Sequence, residues 1–188
     1  MTRRNPDKRG LVRKPGTKTP LSEHQVYDLN HAFDYAVTLL ARRDYSTHEL
    51  KKKLAERGYN EHAREVVVDD LESMGKMNNE RYGQNVVAYR ARRGHGPARI
   101  RNELQKSGLS RSDIDEAVKG EDAPDFKVRA REVRERKFGP EIPKDRKERA
   151  KQARFLQYRG FSNDHIRAAM EGNVDDDTPD PGGQPDQS

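Results

Sequence analysis

The sequence has no cysteine and no tryptophan. Without thiols there is no disulfide framework, no thiolate zinc or iron–sulfur site and no cysteine nucleophile. Aromatic residues make up only 6%, and a stacking platform for single-stranded nucleic acid needs exposed rings. No apolar run approaches the roughly 20 residues of a membrane span. The basic stretch Met1–Thr19 is not followed by the apolar core of a secretory signal. The expectation is a soluble, cytoplasmic protein with no membrane partner. Hydrophobic residues reach only 31% of the 188, so one thick core is not expected, and small units packed side by side fit better.

What the chain has instead is charge. Lys, Arg, Asp and Glu make up 37%, against about 25% in ordinary globular domains. The balance is 38 Lys and Arg to 32 Asp and Glu, a net +6. Residues 1–25 are net +5 and, with Pro6, Pro15 and Pro20, read as a disordered basic arm. Residues 172–188 carry five Asp and no base, and read as a disordered acidic tail. A basic body attracts polyanions, nucleic acid first among them.

Between the ends, apolar spacing is helical. Ala32, Tyr35, Ala36, Leu39 and Leu40 recur at three and four residues. Ser46 with Glu49 reads as a capping box, Leu50 and Leu54 as an apolar stripe, and Gly58 as a left-handed stop. Val66, Val67, Val68, Leu71 and Met74 continue as a third helix despite the β-prone valine triplet. Gly75 closes it, and Asn78 or Asn79 caps the next.

The pattern then repeats with a 50-residue offset: Arg42-Arg43 to Arg92-Arg93, Leu50 and Leu54 to Ile100 and Leu104, Gly58-Tyr59 to Gly108-Leu109. A third copy ends in Gly160-Phe161, 52 residues after the second. In it Leu156 matches Leu54 and Leu104, whereas Gln152 falls where Leu50 and Ile100 stand, and Ala153 is the candidate to take over that packing. The residue after each glycine, Tyr59, Leu109 or Phe161, is expected to plug its unit's core. The fold expected is all-α: three tandem three-helix repeats over 26–75, 76–120 and 121–171, stacked into an elongated, curved protein. Hinge freedom is expected at Gly75-Lys76 and at Gly120–Pro124.

No catalytic constellation emerges. Gly94-His95-Gly96-Pro97 is too short for a phosphate loop and reads as a helix start. The six His are scattered without metal-ligand spacing. Asp69 and Asp70 point about 100° apart on a helix. Asp175–Asp177 are isolated carboxylates on a tail. No enzyme, cofactor, metal or small-molecule substrate is expected.

The basic residues remain. Residues 31–75 are net −2, whereas 76–120 and 121–160 are each net +5. Arg90, Arg92, Arg93, Arg99 and Arg101 bracket the second unit's middle helix, with no acidic neighbour until Glu103. In the third unit the candidates are Arg131, Arg134, Lys144, Lys147, Lys151 and Arg154. Pairs such as Glu132–Arg136 and Glu148–Gln152 account for part of that charge as a solvated helix face. Phosphate attraction without base reading is what these residues support.

The ordered set of motifs resembles the RecX regulatory family. The first copy is similar in Ala36, Leu39, Leu40, Arg43, Ser46, Glu49, Leu50, Leu54 and Gly58. The second is similar in Gly75, Asn78, Arg81, Tyr82, Arg93, Gly94, Gly96, Pro97, Ile100, Leu104, Gly108 and Leu109. The third is similar in Lys151, Arg154, Leu156, Arg159, Gly160, Phe161, Ser162 and Ile166. Asn79 stands where the family commonly has Asp. The resemblance implies a non-enzymatic, monomeric helical repeat that binds the RecA recombinase filament and inhibits its ATPase, strand exchange and filament growth. It places the chain in homologous recombination, DNA repair and the SOS response, with RecA and the phosphates of single- and double-stranded DNA as partners. The alternative is a sequence-nonspecific nucleic-acid-binding repeat protein without recombinase contact.

Overall fold

The computed structural model describes residues 20–171; the basic arm before residue 20 and the acidic tail from residue 172 lie outside the described residues. Among the described residues there are ten helices and no strand. A short α1 (Glu23–Val26) precedes three helical triplets. The first is α2 (Leu29–Leu40), α3 (Thr47–Arg57) and α4 (Glu61–Ser73). The second is α5 (Asn79–Arg92), α6 (Pro97–Lys106) and α7 (Arg111–Lys119). The third is α8 (Phe126–Phe138), α9 (Arg146–Tyr158) and α10 (Asn163–Met170).

Local chemistry sets these boundaries. Ser, Asp or Asn side chains accept a first-turn amide at the start of every helix but α6, which begins at Gly96 with proline next. Asn78, rather than Asn79, caps α5; the Asn79 side chain instead accepts from the Thr47 amide at 3.0 Å. Only half of the expected capping box forms at Ser46: its Oγ accepts from Glu49 N at 3.1 Å, while the Glu49 carboxylate pairs with Arg43 at 3.0 Å.

Each middle helix stops in the same way. Gly58, Gly108 and Gly160 have φ of 110°, 78° and 91°. The amide one residue on then donates back to Leu54 O, Leu104 O or Leu156 O at 3.1, 3.2 and 3.1 Å. This is the hydrogen-bond signature of a Schellman stop. It turns Tyr59, Leu109 and Phe161 inward, and all three are buried.

The packing departs from three separate small cores. The first unit closes a core of its own, around Ala36, Leu50, Leu54, Val67 and Leu71. The second and third share one continuous core that runs from Val87 and Ile100 through Val133 to Leu156 and Phe161. Gln152 stays inside at its expected place beside Leu156, only 5% exposed, with Ala153 packed at the margin.

One junction recurs along the chain: the start of a unit's middle helix sits on the glycine turn of the next unit. At the second junction Gly96 N donates to Arg159 O at 2.8 Å and Ala98 N to Gly160 O at 3.1 Å. Backbone carbonyls thus do for α6 what a side chain does elsewhere. A Cβ at Gly96 would overlap the Gly160 carbonyl group and the Phe161 nitrogen. At the first junction Ser46 Oγ donates to Ser107 O at 2.5 Å, and His48 lies against Gly108. The Gly58 turn has α1 in this place: Leu21 lies against Gly58, and Asn60 N donates to Val26 O at 3.2 Å. That docked segment falls within the stretch up to residue 25 that the sequence reads as arm.

Candidate functional site

The eleven basic residues singled out from the sequence separate into two groups. Arg90 and Arg101 are committed within the second unit. Arg90 reaches across from α5 to Glu103 on α6 through both Nε and Nη2, and that bond raises its pKa further. Arg101 pairs with Asp115 on α7 at 2.5 Å and holds that carboxyl below its ordinary value. Arg131 is partly buried, with Nη2 donating to Ala168 O at 3.4 Å. Lys151 is exposed but pairs with Glu148 at 3.3 Å.

Arg134 requires a correction. It is 1% exposed and faces the 139–141 loop, where it donates to the carbonyls of Gly139, Pro140 and Glu141 at 3.3, 2.9 and 2.9 Å. A buried guanidinium bound to carbonyls is not offered to a phosphate. The expected helix pairs also differ: Glu132 meets Arg129 and Glu148 meets Lys151, each three residues apart.

Arg92, Arg93, Arg99, Lys144, Lys147 and Arg154 are exposed and make no ion pair among the described residues. Arg93 is the one whose position is built. It follows the end of α5, its Nη1 donates to Tyr89 Oη at 2.7 Å, and its guanidinium lies 5.5 Å from that ring's centre.

Arg93 also opens a cleft of about 260 Å³ between the second and third units. The other cations there are Arg136 and Lys137 from α8 and Arg159 from the end of α9; Val133, Phe155 and Gly94 form the rest. Arg159 is fixed by a 3.3 Å bond from Nη1 to Arg93 O and lies 5.0 Å from the Phe155 ring centre. No acidic residue lines this cleft. A larger cleft of about 830 Å³ between the first and second units is different: Arg43–Glu49 on one wall and Arg90–Glu103 on the other are already paired, and Asn85 reaches Asp44 across it. The smaller cleft is therefore the one with uncompensated positive charge. His95 follows Gly94 of this cleft. Its pKa is pushed down by burial first, and then by Arg99, Arg90 and Arg159.

Arg136, Lys137 and Arg159 were not among the candidate contact residues. Their shared cleft with Arg93 arises from the junction of two units, and residues 66 apart in sequence meet there. The 50-residue repeat pointed to the junction, but not to the side chains turned toward it.

Among the described residues no group of three or more His, Asp or Glu is arranged to hold a metal ion, and no helix is long and apolar enough to cross a membrane. The class defined by these features is a tandem helical-repeat protein with an uncompensated cationic cleft between its second and third units.

Comparison with known proteins makes the assignment specific. The chain matches RecX, first three-helix domain, at residues 32–71; RecX, second three-helix domain, at 78–118; and RecX, third three-helix domain, at 128–170. It is 46% identical over 142 residues to the regulatory protein RecX of Pseudomonas fluorescens strain Pf-5, covering 76% of this chain and 91% of that protein. It is 44% identical to the regulatory protein RecX of Pseudomonas syringae pv. tomato over the same shares. The crystal structure of RecX from Lactobacillus salivarius has the same fold, with a TM-score of 0.64 at 17% identity over 76% of this chain and 94% of that one. The chain belongs to the RecX family.

Proposed function

We propose that this chain is a non-enzymatic regulator of the RecA recombinase. It binds the recombinase–DNA filament in the cytoplasm, as a monomer, and inhibits ATP hydrolysis, strand exchange and filament growth during recombination and repair. The single observation that carries the reading, beside family membership, is the unpaired cationic surface on the second and third units, centred on Arg93 and its cleft. Such a surface meets DNA phosphates and acidic protein surface without reading bases. Arg92, Arg93 and Arg99, with Lys144, Lys147 and Arg154, are its contact residues. Arg90, Arg101, Arg131 and Lys151 contribute through the packing and pairing around it.

The test is recombinase ATP hydrolysis on single-stranded DNA, with the protein titrated at fixed salt. The expected result is inhibition well below one copy per recombinase subunit. R92E/R93E/R99E is expected to abolish it with helicity intact. Unchanged inhibition by that folded variant overturns the contact face. Inhibition appearing only when DNA is saturated replaces this reading with general nucleic-acid binding.

A further inference from the structure

The cleft between the second and third units combines two chemistries. Its rim holds Arg93, Arg136, Lys137 and Arg159, and its floor holds Val133 and Phe155. Arg136 and Lys137 are exposed and have no acidic partner among the described residues. A phosphate uses the rim and leaves the floor bare. A peptide with an apolar side chain next to several carboxylates uses both: the floor removes apolar surface from water, and the rim neutralises the acids.

The chain carries such a run. Val174 is followed by Asp175, Asp176 and Asp177, within a stretch 172–188 that is net −5. The run begins three residues after Glu171, at the end of the described residues. The path of α10 directs it. The His165 ring lies 5.9 Å from the Phe126 ring, and further along both helices Arg131 reaches Ala168 O. The two helices therefore run the same way, and α10 ends toward the half of α8 that bears Val133, Arg136 and Lys137. From Arg131 to Lys137 a helix rises about 9 Å. Three to six extended residues after Glu171 span roughly 10–20 Å, which exceeds that axial rise and leaves length for turning round α8.

We propose that Val174–Asp177 docks in this cleft, with Val174 on Val133 and Phe155 and the aspartates on Arg93, Arg136, Lys137 and Arg159. The tail is then an internal ligand that competes with polyanions for the cationic face. The contact itself is independent of the partner; only its consequence as competition rests on the proposed function.

The test uses the full chain, by amide and methyl NMR at low salt. D175N/D176N/D177N is expected to displace the signals of Gly94, Val133 and Phe155, and high salt is expected to displace them likewise in the wild type. A peptide of residues 171–180 added to the neutralised variant is expected to restore the wild-type positions, and to bind at least tenfold more weakly once R136Q/K137Q is also present. Identical spectra for the wild type and the neutralised variant overturn the proposal. So do peptide-induced changes that survive R136Q/K137Q, or a short oligonucleotide that fills the cleft equally well in both chains. Loss of recombinase inhibition is read in the ATPase assay and leaves these spectra unaffected.

Discussion

Gln152 is the sharpest place to test the packing. It stands in α9 where Leu50 stands in α3 and Ile100 in α6, and it is 5% exposed. Its Oε1 is buried without a hydrogen-bond partner among the described residues. An unsatisfied buried acceptor costs about 1–3 kcal/mol. Gln152→Leu removes that penalty and adds apolar surface to the shared core. Some of the gain is lost to imperfect shape, since Ala153 already packs nearby. The net expectation is a stabilisation of about 1–2 kcal/mol, or a few degrees in Tm for a chain of this size. Urea unfolding followed by helical circular dichroism reads this as a higher midpoint at unchanged slope. Gln152→Ala separates the two contributions: it removes the orphan oxygen but leaves a cavity, and should fall below Gln152→Leu by about 2 kcal/mol or more. A midpoint that drops or stays fixed in Gln152→Leu would show that the amide oxygen has a partner, and would refute the reasoning.

Three other outcomes follow from the same structure. Gly96→Ala keeps an ordinary backbone, since φ is −83°, but drives a methyl into the Gly160 carbonyl group; unfolding should show a loss of about 1–3 kcal/mol, and a wild-type midpoint would mean that this junction is not close-packed. Arg134→Met strips the donor from the carbonyls of Gly139, Pro140 and Glu141; amide exchange around residues 139–145 should accelerate, and unchanged protection would refute the role given to this arginine. His95 and His165 are both held below their ordinary 6.5, each by burial first. Protonation therefore favours the unfolded chain: their contribution is complete above 6.5 and is lost as the pH falls below it toward the folded values. His95→Gln/His165→Gln should flatten the urea midpoint across that window, and an unaltered slope would locate the titration elsewhere.

The helices and their ends were legible in the sequence because their causes are local. Ser46 and Asn78 cap within three residues, and Gly58, Gly108 and Gly160 stop the chain with their own backbones. The repeat exposed the triplets because the same few positions recur at a fixed offset. What could not be read depends on tertiary neighbours. Arg134 looked like its solvent-facing neighbours because its partners are carbonyls, which carry no sequence signature. The pairing of Arg90 with Glu103 joins two helices rather than one face. The merging of the second and third cores, and the cleft of Arg93 with Arg159, follow from how α6 lands on the Gly160 turn. No periodicity within a single helix encodes that landing.

The recurring junction gives the protein a direction. Each of these junctions joins a helix start in one unit to a glycine turn in the next, so its two sides are different surfaces, and the series has a head and a tail rather than a two-fold axis. At the leading end the segment Leu21–Val26, which includes α1, lies on the Gly58 turn. The six residues Leu21–Val26 thus give the first glycine turn the same kind of cover that a middle helix gives the second and third.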